Sequence, residues 1–399
     1  MMKKLTIIAL AVLISFSGYS HTWNSIGPDS INASRICFGV GLPYWVICAD
    51  NGMYLYNYST YDCEFFSCGM LPVTGAAYMN PDEMLVVMGN GSLSDGIYTF
   101  NWQTHLFEVV EWIANPNFIE LHEPSGTYWV GTQFGGMFKS SDGLNWSEVS
   151  FFEGKSCSCF DYYGEHLVVS EVSNIYNIYW SDDSGFSWYT GTATPLLTDM
   201  KFNSFGMLCG IFPDYSNSSG LWRSFDFGEP WEIAFYADNM SAVGFDAFGH
   251  IFVGWAENEG IALFDPESTP PGLTFLNSGL PNININKIQL NPSMSAPAIF
   301  TCTEGGVYYS YDYLVGIDVQ DENLNSVFIY PIPANNELYV QSEILVSRIT
   351  MMTLSGEAVL EEMIFEKDFR INISGFTPGV YIMQAEVNGR TVNRKLIVE

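Results

Sequence analysis

The stretch SDDSGFSW, residues 181–188, contains the residue types of a tight turn between two β-strands. Ser181 and Asp183 have short polar side chains that can hydrogen-bond to nearby backbone N–H groups, and Gly185 can adopt a positive φ. Trp188 can bury a large ring against the preceding strand. The stretch therefore predicts a strand–turn–strand unit, and its first role is to support folding.

This turn belongs to an internal repeat. Short apolar and aromatic strands begin at positions 44, 40, 41, 43, 40 and 46 residues apart, namely Gly52, Gly96, Gly136, Asn177, Gly220, Gly260 and Gly306. Each repeat contains four short strands separated by polar turns, and this length and content are typical of a propeller blade. Residues 21–316 therefore predict an all-β, seven-bladed β-propeller.

Three repeats carry a version of the turn. The residues are Ser181, Asp183, Gly185 and Trp188, then Ser224, Asp226, Gly228 and Trp231, and in a version one residue shorter Ser140, Asp142 and Trp146. The repeats at Gly52, Gly96 and Gly260 lack the pattern. The pattern resembles the Asp-box of bacterial-neuraminidase-type (BNR) repeats. This resemblance implies a β-propeller in which these residues are structural.

The last repeat lacks a fourth strand that begins with Trp. The segment Trp23–Ile26 looks like the fourth strands that begin at Trp146 and Trp231. We expect it to complete the seventh blade, because a closed ring removes two open sheet edges.

Residues 1–20 are predicted to be a secretory signal peptide. Lys3 and Lys4 form a positive region, Leu5 to Phe16 form an apolar core, and residues 18–20 form a small-residue cleavage zone. The apolar run is shorter than the ~20 residues of a membrane span. No transmembrane span is therefore expected in the mature protein.

The C-terminal segment has a different pattern. Acidic, Asn-rich residues 317–326 are typical of a linker, and residues 327–399 show short alternating strands that predict a small β-sandwich. The segment resembles the C-terminal sorting domain of the type IX secretion system of Bacteroidetes-type bacteria. The residues that carry this resemblance are Tyr330, Pro331, Pro333, Ala334, Gly356, Gly379, Tyr381 and Lys395, while Ile332 replaces the usual Asn.

This second resemblance implies a route of export. In the family, Sec export to the periplasm is followed by passage across the outer membrane, and the type IX secretion machinery recognises the sorting domain. The domain is often removed, and the protein is then secreted or attached to the cell surface.

Composition limits the classes of partner. The formal net charge is −30, with 14 Lys plus Arg, so the surface repels phosphate backbones and anionic lipid. Nucleic acid is therefore not an expected partner. No metal site or cofactor is predicted, and Ca²⁺ at Asp182 and Asp183 or at Asp312 is the alternative.

The eight cysteines lack the spacing of a zinc site. Cys37 and Cys48 are predicted to face each other across a hairpin, and Cys63 and Cys68 could close a short loop. Cys157 and Cys159 lie on one face of a strand, so they are not expected to pair with each other. Buried thiols are the alternative for most of these residues.

An enzymatic function was tested against the residue types. A sialidase binds the carboxylate of its substrate with three arginines. Residues 21–316 contain two arginines, Arg35 and Arg223, so a sialidase is disfavoured. A glycoside hydrolase needs two carboxyl groups across a cleft. The candidates on innermost strands or their ends are Glu120, Asp161, Asp199 and Asp246, and no spacing singles out a pair.

Binding is the favoured function. Aromatic residues outside the phase of the repeat are candidates for stacking on a glycan or contacting a protein, namely Tyr44, Trp102, Trp112, Tyr215 and Trp255. The sequence therefore predicts a secreted, non-catalytic module that binds a glycan or a protein. Glycoside hydrolysis by a carboxylate pair on one propeller face is the alternative, and a purely structural surface protein also stays open.

Overall fold

The computed structural model describes residues 23–38, 44–69, 71–172, 177–191, 197–204, 206–212, 219–227, 230–246, 249–266, 272–291, 298–310, 327–330, 334, 336–353, 358–387 and 390–398. The chain divides into two compact units, Met1–Tyr313 and Leu314–Glu399. Within the described ranges, the regular structure is β-strand apart from one 3₁₀ turn at Ser150–Phe152. The predicted all-β class is confirmed. None of the described segments is a helix long and apolar enough to cross a bilayer.

The strands of the first unit are numbered in chain order. The first fourteen are β1 (Asn24–Ile26), β2 (Ala33–Phe38), β3 (Tyr44–Ala49), β4 (Gly52–Asn57), β5 (Cys63–Phe66), β6 (Val73–Asn80), β7 (Glu83–Met88), β8 (Gly96–Asn101), β9 (Phe107–Trp112), β10 (Pro116–His122), β11 (Thr127–Thr132), β12 (Met137–Ser140), β13 (Ser147–Glu148) and β14 (Cys157–Tyr163). The remainder are β15 (His166–Glu171), β16 (Asn177–Ser181), β17 (Tyr189–Thr190), β18 (Asp199–Phe202), β19 (Leu208–Phe212), β20 (Gly220–Ser224), β21 (Glu232–Tyr236), β22 (Met240–Phe245), β23 (Ile251–Trp255), β24 (Ile261–Asp265), β25 (Gly272–Phe275), β26 (Ile285–Leu290), β27 (Ile299–Thr303) and β28 (Gly306–Ser310).

These strands form antiparallel sheets of four. Among the described residues of the first unit there are seven such sheets, which we number 1 to 7 by the chain order of their first strands, β2, β6, β10, β14, β18, β22 and β26. Each first strand contacts the first strand of the next sheet, and β26 contacts β2, so the seven first strands form a closed ring. We call this ring of first strands the inner ring.

The N-terminal strand completes sheet 7, as the sequence predicts. β1 pairs with β28 so that Asn24 faces Tyr309 and Ile26 faces Val307. Ile26 is fully buried, and the indole Nε1 of Trp23 donates to the carbonyl oxygen of Leu276 at 2.8 Å. Backbone pairing and apolar burial therefore hold β1 against β28, and the Trp23 hydrogen bond ties the start of the chain to the end of sheet 6.

A β-bulge recurs on the inner ring. In six of the seven described first strands the register shifts at a Ser, Thr or Asn near the start of the strand, and β6 has a second shift at Met79. The side chain of that Ser, Thr or Asn donates to a backbone carbonyl of the next sheet at 2.5–3.3 Å: Ser34 to Val73, Thr74 to Pro116, Asn117 to Cys157, Ser158 to Leu197, Ser241 to Ile285 and Asn286 to Ala33. Between sheets 5 and 6, the carboxylate of Asp199 instead accepts from the Val243 N–H at 3.0 Å.

The recurring glycines before the third strands have a steric cause. At Gly136 (φ +82°) an added Cβ would lie 2.4 Å from the carbonyl oxygen of Phe152, and at Gly220 (φ +135°) it would lie 2.0 Å from that of Phe235. Only glycine fits where the chain following the fourth strand approaches so closely.

The second unit contains β29 (Val327–Tyr330), β30 (Glu337–Thr353), β31 (Ala358–Asn372), β32 (Gly379–Val387) and β33 (Arg390–Val398). Its described strands form one five-stranded sheet in the order β29-β30-β32-β33, with β31 paired to β30. β30 pairs with β31 on both sides of a register break between Gln341 and Val346, with β29 before that break and with β32 after it. Apolar residues from both halves of β30 share one core, which includes Leu338 and Ile349.

All eight cysteines lie among the described residues, and all are free thiols. Across the β2–β3 pair Cys37 lies opposite Val46 and Cys48 lies opposite Arg35, so the two cysteines do not face each other directly, and neither they nor Cys63 and Cys68 are bonded as a disulfide.

Candidate functional site

The turn at residues 181–188 joins β16 to β17 and is held by its own side chains. The buried Ser181 hydroxyl accepts from the Gly185 N–H at 2.8 Å and donates to Asp183 at 2.8 Å, and Asp183 accepts from the Ser187 N–H at 2.8 Å. Burial acts to raise the pKa of Asp183, but these hydrogen bonds outweigh it and lower that pKa. The Trp188 ring packs edge-on against Trp129 of sheet 3.

The shorter turn has the same internal bonding. Ser140 accepts from the Gly143 N–H at 2.9 Å, and Asp142 accepts from the Leu144 and Asn145 N–H groups at 2.9 and 2.8 Å. The Trp146 indole donates to the Gly143 carbonyl oxygen at 2.9 Å. In the third turn Ser224 accepts from the Asp226 N–H at 3.4 Å and Trp231 packs in the core beside sheet 4, while Gly228 lies outside the described residues. These residues link each turn to its own or the preceding sheet.

The four candidate carboxylates do lie on the inner ring or at the end of one of its strands, and each has a basic partner. Glu120 on β10 pairs with Arg35 on β2, Asp161 on β14 pairs with Lys201 on β18, and Asp199 on β18 pairs with Lys287 on β26. Asp246, just after β22, pairs with His250. We call the first three pairs the inner-ring charge cluster.

Two of these pairs join sheets that are not neighbours. Arg35 in sheet 1 pairs with Glu120 in sheet 3, and Lys287 in sheet 7 pairs with Asp199 in sheet 5. Each of these pairs therefore connects first strands that lie two positions apart on the inner ring.

Glu120 lies among three positive charges. Burial acts to raise its pKa, but Arg35, Lys201 and Lys287 outweigh burial and hold the pKa of Glu120 below its usual range. Asp161 behaves in the opposite way, because burial raises its pKa more than Lys201 lowers it. Its two oxygens accept from Lys201 Nζ at 2.8 Å and from the Phe202 N–H at 2.5 Å.

The basic half of the cluster was missed by the sequence reasoning, which considered only arginines. Residues 21–316 contain six Lys and Arg side chains in total, and three of them, Arg35, Lys201 and Lys287, belong to the cluster. Lys and Arg are rarely buried in proteins. Three basic residues within predicted inner strands of a segment that has only six were therefore a signal that could have identified them.

A prediction follows for His250. Its Nδ1 lies 2.6 Å from the Asp246 carboxylate, and this hydrogen bond raises the pKa of His250 although burial acts to lower it. The stabilisation is present in full below the unfolded pKa of about 6.5 and is lost as pH rises through the folded value. We expect NMR titration to place His250 above the usual histidine range and Asp246→Asn to move the midpoint down. An unchanged midpoint in that variant would contradict the assignment.

The aromatic residues that the sequence suggested for ligand binding differ in exposure. Trp112 is exposed, whereas Trp255 is 1% exposed and belongs to the core, so its predicted surface role is wrong. Its strand is buried on both faces, a position that aromatic phase alone does not reveal. Tyr44 and Trp102 stack on each other with centroids 5.8 Å apart, and Tyr215 lies outside the described residues.

A cleft between sheets 1 and 7 brings together aromatic residues that the sequence did not single out. It has a volume of about 860 Å³, and its aromatic lining consists of Tyr54, Tyr56, Tyr61, Phe65 and Tyr309. Asn24 and Ser25 of the closing strand β1 also line it. We call this feature the tyrosine cleft.

The turn that carries Tyr61 is a second turn type, used where the Ser-x-Asp pattern is missing. Asn57 accepts from the Ser59 and Thr60 N–H groups at 2.9 and 3.2 Å, and Tyr61 has a φ of +65°. The matching turn after β8 uses Asn101, with His105 at a φ of +57°. Its sequence signal is an Asn at the end of the third strand followed three residues later by Thr.

No group of three or more His, Cys, Asp or Glu side chains suited to a metal ion is found within the described ranges. Asp182 and Asp183 lie in the turn already described, where Asp183 accepts the turn's hydrogen bonds. Asp312, the other Ca²⁺ candidate, lies outside the described residues.

The sorting-motif residues fall on the second unit. Tyr330 ends β29, Gly379 begins β32 and Lys395 lies on β33 opposite Ile382. Ala334 is buried and forms a parallel bridge with Val398, and the Tyr381 hydroxyl donates to the Thr377 carbonyl oxygen at 2.8 Å. Pro331, Pro333 and Gly356 lie outside the described residues.

Comparison with known proteins supports both units. Residues 328–399 match the family described as "Secretion system C-terminal sorting domain". A search of curated proteins found no match. The extracellular domain of the one-component system BT4673 from B. thetaiotaomicron is similar at a TM-score of 0.58 and 12% identity, with 94% of this chain and 52% of that chain covered. The chain thus spans about half the length of that domain.

Two further solved structures are similar. The β-propeller domain of Cps50 (Swd1) from Myceliophteria thermophila has a TM-score of 0.52 at 12% identity, covering 72% of this chain and 99% of that chain. An ancestral GH74 enzyme has a TM-score of 0.53 at 11% identity, with 71% of this chain and 48% of that chain covered. At these identities the likeness concerns the fold. The chain therefore has a propeller fold followed by a type IX sorting domain, and it is exported to the cell surface or the medium.

Proposed function

We propose that the exported chain is a non-catalytic binding module built on a closed seven-bladed propeller, with a glycan or a protein as its ligand. The observation that carries this proposal is the pairing of every candidate carboxylate with a basic side chain. Each carboxylate is held in place by its partner, and the cations around Glu120 also lower the pKa of that residue. Glu120 is therefore poorly suited to donate a proton.

The three Ser-x-Asp turns support assignment as Asp-boxes of the BNR type with a structural role. The Ser side chain accepts a backbone N–H in all three turns, the Asp142 and Asp183 carboxylates accept hydrogen bonds within theirs, and the Trp rings pack in the core. A signal peptide at residues 1–20, outside the described residues, is the proposed entry to the Sec step, and the type IX machinery is the proposed partner for the second step.

Glycoside hydrolysis is the second candidate, and one observation favours it. Glu120 and Asp161 have pKa values shifted in opposite directions, as in an acid and base pair. One similar fold belongs to a GH74 enzyme. Against it, both oxygens of Asp161 accept hydrogen bonds, and its side chain is 11% exposed.

A direct test uses the chain from residue 21 to 399. We expect saturable binding on a glycan array or in a pull-down from the cell surface, and no release of reducing ends from the same glycans. Hydrolysis that Glu120→Gln or Asp161→Asn reduces by 100-fold or more would replace the binding proposal with the hydrolase. Arg223→Gln is a matched control, since its pair with Glu232 lies on β20 and β21, away from the inner ring.

A further inference from the structure

We propose that the tyrosine cleft binds a neutral glycan. This inference rests on the proposed binding function and names the site and the ligand class. The cleft lies where sheet 1 meets sheet 7, between strands β4 and β5 on one side and β1 and β28 on the other. Its volume of about 860 Å³ falls in the range of ligand sites, about 300–1,000 Å³.

The lining has the chemistry that sugars require. Half of its ten described residues are aromatic, and four of those five are tyrosines. A tyrosine offers an apolar ring face to the C–H face of a sugar and a hydroxyl to its hydroxyl groups. The exposed side chains of Asn24 and Ser25 add short polar groups at the edge of the cleft.

Charge selects a neutral ligand. None of the described lining residues is Asp, Glu, Lys or Arg, although the chain carries a net charge of −30. The surrounding negative field disfavours uronic acids, sulfated sugars and other anions. A cationic ligand would lack a carboxylate partner within the cleft. A neutral sugar requires no such compensating charge.

Tyr61 occupies the positive-φ position of its turn, with its ring largely in solvent. Its φ of +65° matches the +57° of His105 in the equivalent turn of sheet 2, and its N–H donates to the Asn57 carbonyl oxygen at 2.7 Å. His105 packs against the rings of Phe66 and Phe100, whereas the Tyr61 side chain is 74% exposed. The turn therefore fixes the Tyr61 backbone and leaves its ring accessible to a ligand.

The opposite wall faces Tyr61. Burial raises the pKa of Tyr309, and the nearby Tyr61 hydroxyl adds to the shift. Tyr309 stacks on Phe300, and Tyr54 packs against Phe65 with centroids 4.8 Å apart. Tyr309 and Tyr54 are therefore each held by a neighbouring ring, whereas Tyr61 lines the same cleft with a mostly exposed side chain.

The test is calorimetric titration of the chain from residue 21 to 399 with neutral hexasaccharides of glucose, mannose, galactose and xylose. Hexagalacturonate is the anionic probe, and a neutral strand-forming peptide is the polypeptide probe. We expect at least one neutral hexasaccharide to bind, and hexagalacturonate to bind at least 10-fold more weakly. Tyr61→Asn, which keeps the preference for positive φ, and Phe65→Ala should each weaken binding 10-fold or more. Tyr61→Phe should change it less than 3-fold.

Phe186→Ala is the matched control, because it removes an 87% exposed ring from the turn of sheet 4, which does not line the cleft, and it should leave affinity unchanged. Neutral sugars that bind equally well to Tyr61→Asn and Phe65→Ala would overturn the cleft while leaving the binding function intact. Binding of the peptide alone, or of no neutral hexasaccharide, would overturn the glycan assignment. Cleavage of a hexasaccharide that Glu120→Gln abolishes would overturn the proposed function itself.

Discussion

A chain that lacks residues 21–28 is expected to lose the cooperative thermal unfolding transition of the propeller. The deletion removes strand β1, which pairs with β28, together with the fully buried Ile26 and the Trp23 hydrogen bond to Leu276. It leaves β28 as an open edge beside sheet 1, and open edges promote association with other chains. Differential scanning calorimetry with light scattering should show a broad, early transition and aggregation.

Point variants separate the causes. Ile26→Ala keeps the backbone pairing and should lower the free energy of unfolding by about 2–5 kcal/mol, the usual range for a large apolar residue in a core. Trp23→Phe removes the indole donor and should cost about 1 kcal/mol, the typical net worth of a hydrogen bond. A deletion variant with an unchanged melting temperature would show that β1 does not hold the fold closed.

Asp199→Ala should be the most damaging single substitution on the inner ring. The carboxylate is 2% exposed, pairs with Lys287, and accepts from the Met200 and Val243 N–H groups at 2.9 and 3.0 Å. Its loss leaves a buried ammonium group and two backbone donors without their partner. Breaking a buried pair in this way typically costs about 3–5 kcal/mol.

Chemical denaturation with a double-mutant cycle checks this prediction. Lys287→Met removes the cation but leaves both backbone N–H groups on Asp199, so we expect a smaller loss than for Asp199→Ala. The double variant should be more stable than the sum of the two losses implies, since it no longer buries an unpaired charge. A cost below about 1 kcal/mol for Asp199→Ala would contradict a structural role for the pair.

The sequence predicts the ring better than its interior. The repeat period and the closing strand can be read directly, because each follows from a local pattern of apolar strands and turn residues. The inner-ring charge cluster cannot be read from a local pattern, because Arg35 and Glu120 are 85 positions apart in the sequence and Asp199 and Lys287 are 88 positions apart. Those pairings arise only once the first strands are arranged in a ring, because each joins sheets that are not neighbours.

The tyrosine cleft was missed for a related reason. Its two sides come from opposite ends of the first unit, so proximity arises only when β1 joins β28. Its most exposed member, Tyr61, lies in a turn that lacks the pattern used to phase the repeats. The available signal was an Asn at the end of the third strand followed three residues later by Thr.

Because the first strand pairs with the last, the ring of sheets cannot close until both strands have been synthesised. Ile26 has no partner until Val307 has been synthesised, so a polypeptide broken off anywhere before that residue cannot complete sheet 7. Such a fragment leaves β1 without its partner strand, and unpaired sheet edges promote association with other chains. The ring therefore closes only when segments from both ends of the first unit are present together.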